Sequence, residues 1–124
     1  MAGTRNVPEW LDFLPPPLDQ KKRPCQISAV PTFAIHCIDK PLQRDLRMAT
    51  RPEHLLYLEA SIDHVLVAGP LLDDEGLPIG SMLLMNFPDR KAAVAFAAAD
   101  PYALAGLFAS VAVTAWRQVF PKPD

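Results

Sequence analysis

The sequence is poor in cysteine, with only Cys25 and Cys37, and it lacks an apolar run long enough to cross a bilayer. Two cysteines cannot build a disulfide framework, and neither belongs to a Cys-x-x-Cys pair, so no metal site is expected. Residues 1–5 lead into proline and charge instead of the apolar core of a signal peptide. These absences favour a cytoplasmic protein that does not contact membranes.

The sequence also has no large excess of positive or negative charge. The 12 lysines and arginines stand against 14 aspartates and glutamates, for a formal net charge of −2. Proteins that bind a phosphate backbone usually present a strongly basic surface. Nucleic acid is therefore not expected as a partner.

Proline is the residue that is abundant, with 14 in the chain and six of them in the first 31 positions. That segment shows no sustained helical or strand period, which predicts an N-terminal extension at 1–31 before a core domain at 32–124. The extension is too apolar for a simple flexible tail, since it carries Trp10, Leu11, Phe13, Leu14 and Leu18. We expect it to dock, either on the core of its own chain or on a partner subunit.

Hydrophobic periodicity in the core predicts four strands and two main helices. The predicted strands are 32–39, 64–72, 79–87 and 109–120. A first helix begins at a capping-box pattern, Thr50 to Glu53, and runs to about residue 61, with Leu55, Leu58 and Ile62 on its apolar face. The alanine-rich segment before Asp100 predicts the second helix, and a short helix follows at 101–108.

The resulting order, β-α-β-β-α-β, is that of an α+β ferredoxin-like fold, with a four-stranded antiparallel sheet and its helices on one face. The strands are apolar on both sides, so the uncovered face needs a second cover. We expect a homodimer in which the sheets of two chains face each other.

Two polar features in the core are candidates for chemistry. Arg47, Arg51 and His54 follow one another at spacings of four and three, which places them on one ridge if the first helix extends upstream. Such a ridge could hold an anionic substrate beside a histidine base, or it could be a solvated basic edge. Asp100 precedes Pro101, a pattern typical of a helix N-cap, which would fix its carboxylate in one place.

Several short motifs together resemble the YciI-like, or YCII-related, family over roughly residues 33–120. They are the apolar strand ending in Asp39-Lys40-Pro41, the segment Arg51 to Leu55, Ala68-Gly69-Pro70, Gly80-Ser81, and Asp100-Pro101-Tyr102 followed by Ala105-Gly106-Leu107. The resemblance implies a dimeric ferredoxin-like α/β barrel with an active site centred on His54 and Asp100. It also implies pocket positions at Ser81, Asp39 and Tyr102.

These observations support two hypotheses for the function. In the first, His54 is a general acid or base oriented by Asp100, and Ser81, Tyr102, Arg51 and Asp39 bind a small cyclic or quinoid substrate. Isomerisation or elimination of this kind needs neither a metal nor an organic cofactor. In the second, the chain is a non-catalytic module that binds a small ligand or a partner, and the histidine and aspartate are structural.

Overall fold

The structure of the chain is a computed structural model that describes residues 30–123. The extension predicted for residues 1–31 lies outside the described residues except for its last two positions. The first strand begins at Thr32.

The described residues form one four-stranded antiparallel sheet with helices packed on one face. The strands are β1 (Thr32–Asp39), β2 (Val65–Leu72), β3 (Pro78–Asn86) and β4 (Phe108–Trp116), and their order across the sheet is β2-β3-β1-β4. The helices are α1 (Arg44–Ala60), α2 (Arg90–Ala98) and the four-residue α3 (Pro101–Leu104), with a 3-10 turn at Ile62–His64. The predicted ferredoxin-like order is thus confirmed.

The alternation of β1 places its apolar side chains beneath the helices. Phe33, Ile35 and Cys37 are buried on that face, and they pair with positions of β3 that are also buried. Phe96 and Ala97 of α2 close the same core from above. Burial of this apolar cluster holds the sheet and helices together.

Helix α1 starts earlier than the capping-box pattern indicates. It runs without a break from Arg44 through Pro52. Pro52 removes one helical hydrogen bond on the exposed side of α1, where water can satisfy the freed carbonyl oxygen. The longer helix places Arg47 and His54 on one face, and that face is buried.

The buried face of α1 is more polar than the predicted one. Arg47, Thr50 and His54 point inward, while Leu55 and Ile62 are exposed. Of the predicted apolar residues on this helix, Leu58 packs against the core. Helix α1 therefore covers the sheet with a charged ridge.

Two aspartates begin the shorter helices. The side chain of Asp89 accepts a hydrogen bond from the backbone N–H of Ala92 at the start of α2. Asp100 accepts one from the backbone N–H of Tyr102 at the start of α3, as the Asp-Pro pattern predicts. Helix α3 is shorter than predicted because Gly106 adopts a left-handed conformation, with φ of 80°, and turns the chain into β4.

The face of the sheet opposite the helices has no cover within the described chain. Ala34, His36 and Ile38 of β1 lie on it beside Met82 and Leu84 of β3, and all five are half-buried. We call these five residues the open face.

Candidate active site

His54 and Asp100 meet beneath α1. His54 Nδ1 lies 3.0 Å from Asp100 Oδ1, and the two residues are 7% and 2% exposed. An ionised carboxylate can only accept hydrogen bonds, so the neutral imidazole donates from Nδ1 and keeps its lone pair on Nε2. Asp100 thereby selects the form of His54 that can take up a proton at Nε2.

Asp100 is held in place by its position before α3. The same Oδ1 atom that contacts His54 accepts the backbone N–H of Tyr102 at 2.8 Å. Because both hydrogen bonds converge on a carboxylate fixed by the backbone, the orientation of the imidazole is fixed as well.

Tyr102 packs against two ionisable side chains, those of His54 and Arg47. Its ring is stacked on the His54 ring with 4.1 Å between centroids, and the guanidinium carbon of Arg47 lies 4.5 Å from its centroid. Residues seven apart on a helix are separated by about 10.5 Å along its axis, which leaves room for one ring between Arg47 and His54. The tyrosine is 1% exposed, and its pKa is raised chiefly by burial.

Arg47 anchors the other end of the site. Its Nε donates to Asp39 Oδ2 at 2.7 Å, and its Nη2 donates to Asp39 Oδ1 at 3.0 Å and to Ser81 Oγ at 2.9 Å. Burial opposes the charge on the guanidinium, but the hydrogen bonds and charge of Asp39 raise the pKa of Arg47 overall. Asp39, Arg47 and Ser81 therefore form a fixed, charge-balanced group.

The structure brings five of the six predicted site residues into one cluster, which we call the buried polar cluster. Its members are Asp39, Arg47, His54, Ser81, Asp100 and Tyr102. Arg51, the sixth predicted residue, is exposed on α1, and Arg47, four residues earlier, contacts Asp39 and Tyr102 instead. The spacing of the ridge could have indicated Arg47, but nothing in the sequence shows its pairing with Asp39.

Cys37 lies under this cluster on β1 and is 2% exposed. Burial, reinforced by the nearby charge of Asp100, raises the pKa of its thiol from 9.0 to about 12. The thiol therefore stays protonated at neutral pH, which makes Cys37 a poor nucleophile.

The raised pKa of Cys37 predicts a loss of stability in alkali. Between about pH 9 and 12 the unfolded chain releases this proton while the folded chain keeps it, so the free energy of unfolding falls as pH rises. Urea unfolding from pH 8 to 11 should show a steeper fall for the wild type than for Cys37→Ala. Tyr57 and Tyr102, whose pKa values are also raised, contribute equally to both proteins. Parallel curves would contradict this prediction.

A cleft of about 340 Å³ opens beside the Asp39 end of the cluster. Its walls combine the segment between β1 and α1 with the start of β3, and they include Asp39, Lys40, Arg44 and Ile79. Of the buried polar cluster, Asp39 is the member that lines this cleft, and the other five members do not.

Two absences within residues 30–123 concern metal ligands and membrane-spanning helices. Among these residues, no group of three or more His, Cys, Asp and Glu side chains is arranged to hold a metal ion. Within the same range, the helices are too short or too polar to span a membrane.

Known proteins are similar to this chain in sequence and in fold. The family model of the YCII-related domain matches residues 32–117. Protein YciI of Escherichia coli O6:H1 (strain CFT073) is 34% identical over 96 residues, which cover 71% of this chain and 98% of that protein. An uncharacterised protein of Haemophilus influenzae has the same identity and coverage.

Solved structures extend the comparison. The structure of 5-chloro-2-hydroxyhydroquinone dehydrochlorinase (TftG) from Burkholderia phenoliruptrix AC1100, in complex with 2,5-dihydroxybenzoquinone, is 32% identical with a TM-score of 0.65. The match covers 69% of this chain and 93% of that chain. A Bacteroides thetaiotaomicron protein proposed to be an antibiotic biosynthesis monooxygenase has a TM-score of 0.51, 15% identity, and coverage of 78% and 96%, and it shows the fold alone.

The family match spans nearly all of the described sheet and helices, and it agrees with the identity to protein YciI. The chain belongs to the YCII-related domain family.

Proposed function

We propose that the protein is a cofactor-independent enzyme that moves protons on a small cyclic or quinoid molecule, with His54 as general acid and base and Asp100 as its orienting partner. One observation carries the proposal. The His54–Asp100 hydrogen bond of 3.0 Å is buried and leaves Nε2 as the basic nitrogen of the imidazole.

The chemistry of such a site is balanced without an oxidant or reductant. His54 Nε2 takes a proton from the substrate, and the electron pair of the broken bond moves into the ring of the substrate. In an isomerisation the imidazolium returns the proton to another atom of the substrate. In an elimination the electron pair expels the leaving group as an anion, and the imidazolium then gives its proton to water. Asp100 stabilises the imidazolium formed in between.

The solved relative supports a substrate of the quinoid class. TftG is 32% identical to this chain, is described as a dehydrochlorinase of a chlorinated hydroxyhydroquinone, and was solved with 2,5-dihydroxybenzoquinone. We therefore propose hydroxylated hydroquinones and quinones as the first compounds to test, with elimination favoured over isomerisation.

The experiment is an assay of chloride release from 5-chloro-2-hydroxyhydroquinone by the full-length chain. We expect turnover that saturates with substrate and that depends on His54. Failure to turn over this compound and its unchlorinated isomerisable analogues, in a protein that still binds 2,5-dihydroxybenzoquinone, would contradict the catalytic proposal.

A specific observation favours a second candidate function, a non-catalytic module that binds small ligands. Asp100 Oδ1 caps α3 as well as contacting His54, so the pair also has a structural role. Under this candidate, substitution of His54 or Asp100 lowers the free energy of unfolding, and no turnover is lost because none exists.

The proposed assembly is a homodimer that buries the open face. Its half-buried Ile38, Met82 and Leu84 leave apolar surface without a cover in the described chain. A second copy is the occupant we favour, because four of the five residues of the face are apolar and they lie on both central strands.

A charge placed on the open face should dissociate the dimer. Leu84→Lys puts an ammonium at the centre of the proposed interface, so we expect light scattering to report the monomer mass of 13.7 kDa for this variant and twice that mass for the wild type. Leu56→Lys is the matched control, because Leu56 is 69% exposed on the opposite, helical side. A wild-type monomer, or a Leu84→Lys dimer, would contradict the proposed interface.

A further inference from the structure

The guanidinium of Arg47 has donors that make no hydrogen bond to residues 30–123. An arginine side chain carries five N–H donors, and three of those of Arg47 are directed at Asp39 and Ser81 through Nε and Nη2. Within residues 30–123, no hydrogen bond reaches Nη1. Its two N–H groups are therefore free of a protein acceptor in the part of the chain that the structure describes.

These free donors are buried. The Arg47 side chain is 5% exposed, so Nη1 has little access to bulk water. A buried donor without an acceptor costs free energy, and such groups in native proteins are rare. Asp39 and Tyr102 hold the guanidinium rigidly from one edge and one face, which keeps Nη1 in place. The arrangement is that of a donor group prepared for an acceptor that residues 30–123 do not supply.

The position of Arg47 relates these donors to the base. Arg47 and His54 lie seven residues apart on α1, with the ring of Tyr102 packed against both. The ring of Tyr102 fills the interval of about 10.5 Å between them, so a substrate that contacts both Arg47 and His54 lies alongside this stack and not within it. The cleft is lined by Asp39, the carboxylate that pairs with Arg47, so a small molecule in the cleft comes within one side chain of the guanidinium.

We propose that Arg47 Nη1 binds a ring oxygen of the substrate and stabilises the negative charge that develops there when His54 removes a proton. This inference rests on the proposed function and specifies its substrate as a planar ring with a carbonyl or enolic oxygen. The C–H or O–H bond at His54 breaks, its proton goes to Nε2, and its electron pair moves through the ring to form an enolate oxygen at Nη1. The pair then returns to expel the leaving group or to bind the proton at another carbon.

The proposal assigns to Arg47 what the sequence assigned to Arg51. Arg51 is exposed, so its charge is screened by water, whereas the charge-assisted hydrogen bonds of a buried guanidinium are stronger. Lysine cannot replace arginine in this role, because an ammonium cannot serve Asp39, Ser81 and a substrate oxygen in one plane.

The test measures binding of 2,5-dihydroxybenzoquinone to the full-length protein by calorimetry. Arg47→Lys keeps the positive charge beside Asp39 but removes Nη1, and we expect it to raise Kd about tenfold or more. Arg117→Lys is the matched control and should leave Kd unchanged, because Arg117 is exposed at the end of the sheet where β4 pairs with Thr32, away from Asp39.

A second measurement needs no variant to fold. In wild-type protein labelled with ¹⁵N-arginine, the Nη signals of Arg47 should shift and exchange more slowly with water when the same compound is added. Unchanged Arg47 signals in a protein that binds the compound, unchanged affinity in a folded Arg47→Lys variant, or no binding at millimolar concentration would each overturn the inference, leaving water as the occupant of Nη1.

Failure of this inference is distinguishable from failure of the proposed function. If His54 is the base but Arg47 does not bind the oxygen, His54→Gln removes turnover and Arg47→Lys leaves affinity for the quinone intact. If the protein is a binding module, Arg47→Lys weakens binding, and there is no turnover for His54→Gln to remove.

Discussion

Replacement of His54 by glutamine should lower kcat by about two to four orders of magnitude while the protein remains folded. Glutamine occupies a similar volume and can donate a hydrogen bond from its amide N–H to Asp100, but it has no basic nitrogen. Chloride release from 5-chloro-2-hydroxyhydroquinone is the measurement, and thermal unfolding monitors the fold. The expected loss is the contribution of a positioned general base.

His64→Gln is the matched control for this experiment. His64 is exposed and contacts the backbone oxygen of Asn86 and the ring of Phe87, at the other end of the sheet from Asp39. We expect its kcat to stay within about twofold of the wild type, since His64 contacts no member of the buried polar cluster and surface substitutions change stability little. Equal turnover in wild type and His54→Gln would remove His54 from the mechanism.

Asp100→Asn completes the experiment. The side-chain oxygen of asparagine can still accept the N–H of Tyr102, so the start of α3 is retained. Its amide is neutral and no longer stabilises the imidazolium, and we therefore expect a fall in kcat with a small change in melting temperature. A large fall in melting temperature with no effect on turnover would favour the structural role of the pair.

The second large effect is expected at Gly80. A Cβ atom at this position would collide with the backbone oxygen of Cys37 and would lie 3.1 Å from Leu71 Cδ1. Backbone atoms cannot rotate away, so Gly80→Ala must separate β3 from β1. We expect the free energy of unfolding to fall by about 3 kcal/mol in urea titrations.

Gly69→Ala is the control for that substitution. Gly69 lies in β2, and no atom is found within 4 Å of a Cβ built on it. Its unfolding free energy should change by about 1 kcal/mol or less. Because Cys37 lies two positions before Asp39 in β1, Gly80→Ala should also weaken quinone binding, whereas Gly69→Ala should not. Similar stabilities for the two variants would show that β1 and β3 can accommodate the new Cβ with little loss in the free energy of unfolding, which would contradict this prediction.

The sequence predicted the sheet more accurately than the helices. Alternation is a local signal, so the bounds of β1 could be placed at Thr32 and Asp39 from neighbouring residues alone. The start of α1 could not, because Thr50 to Glu53 has the form of a helix start although the helix begins at Arg44. A helix can continue through Pro52 only where that turn is exposed to water, and neighbouring residues alone do not show which side of the helix is exposed.

The site shows the same division. Asp100 could be recognised as a cap from Pro101, since a cap is a property of adjacent residues. Arg47 could not be separated from Arg51, because its burial depends on Asp39 and Ser81, which come from two different strands. Periodicity reports which residues share a helix face, but the partner across the core decides which charge on that face is buried.

One oxygen atom, Asp100 Oδ1, both begins α3 and orients His54. When this four-residue segment unfolds, the imidazole consequently loses the hydrogen bond that orients it, so the two changes occur together. A segment so short opens at a lower free-energy cost than the sheet beneath it. On heating, the protein should therefore lose activity at a lower temperature than the one at which it unfolds. The gap between the two temperatures depends on how much less free energy it takes to open α3 than to separate the strands.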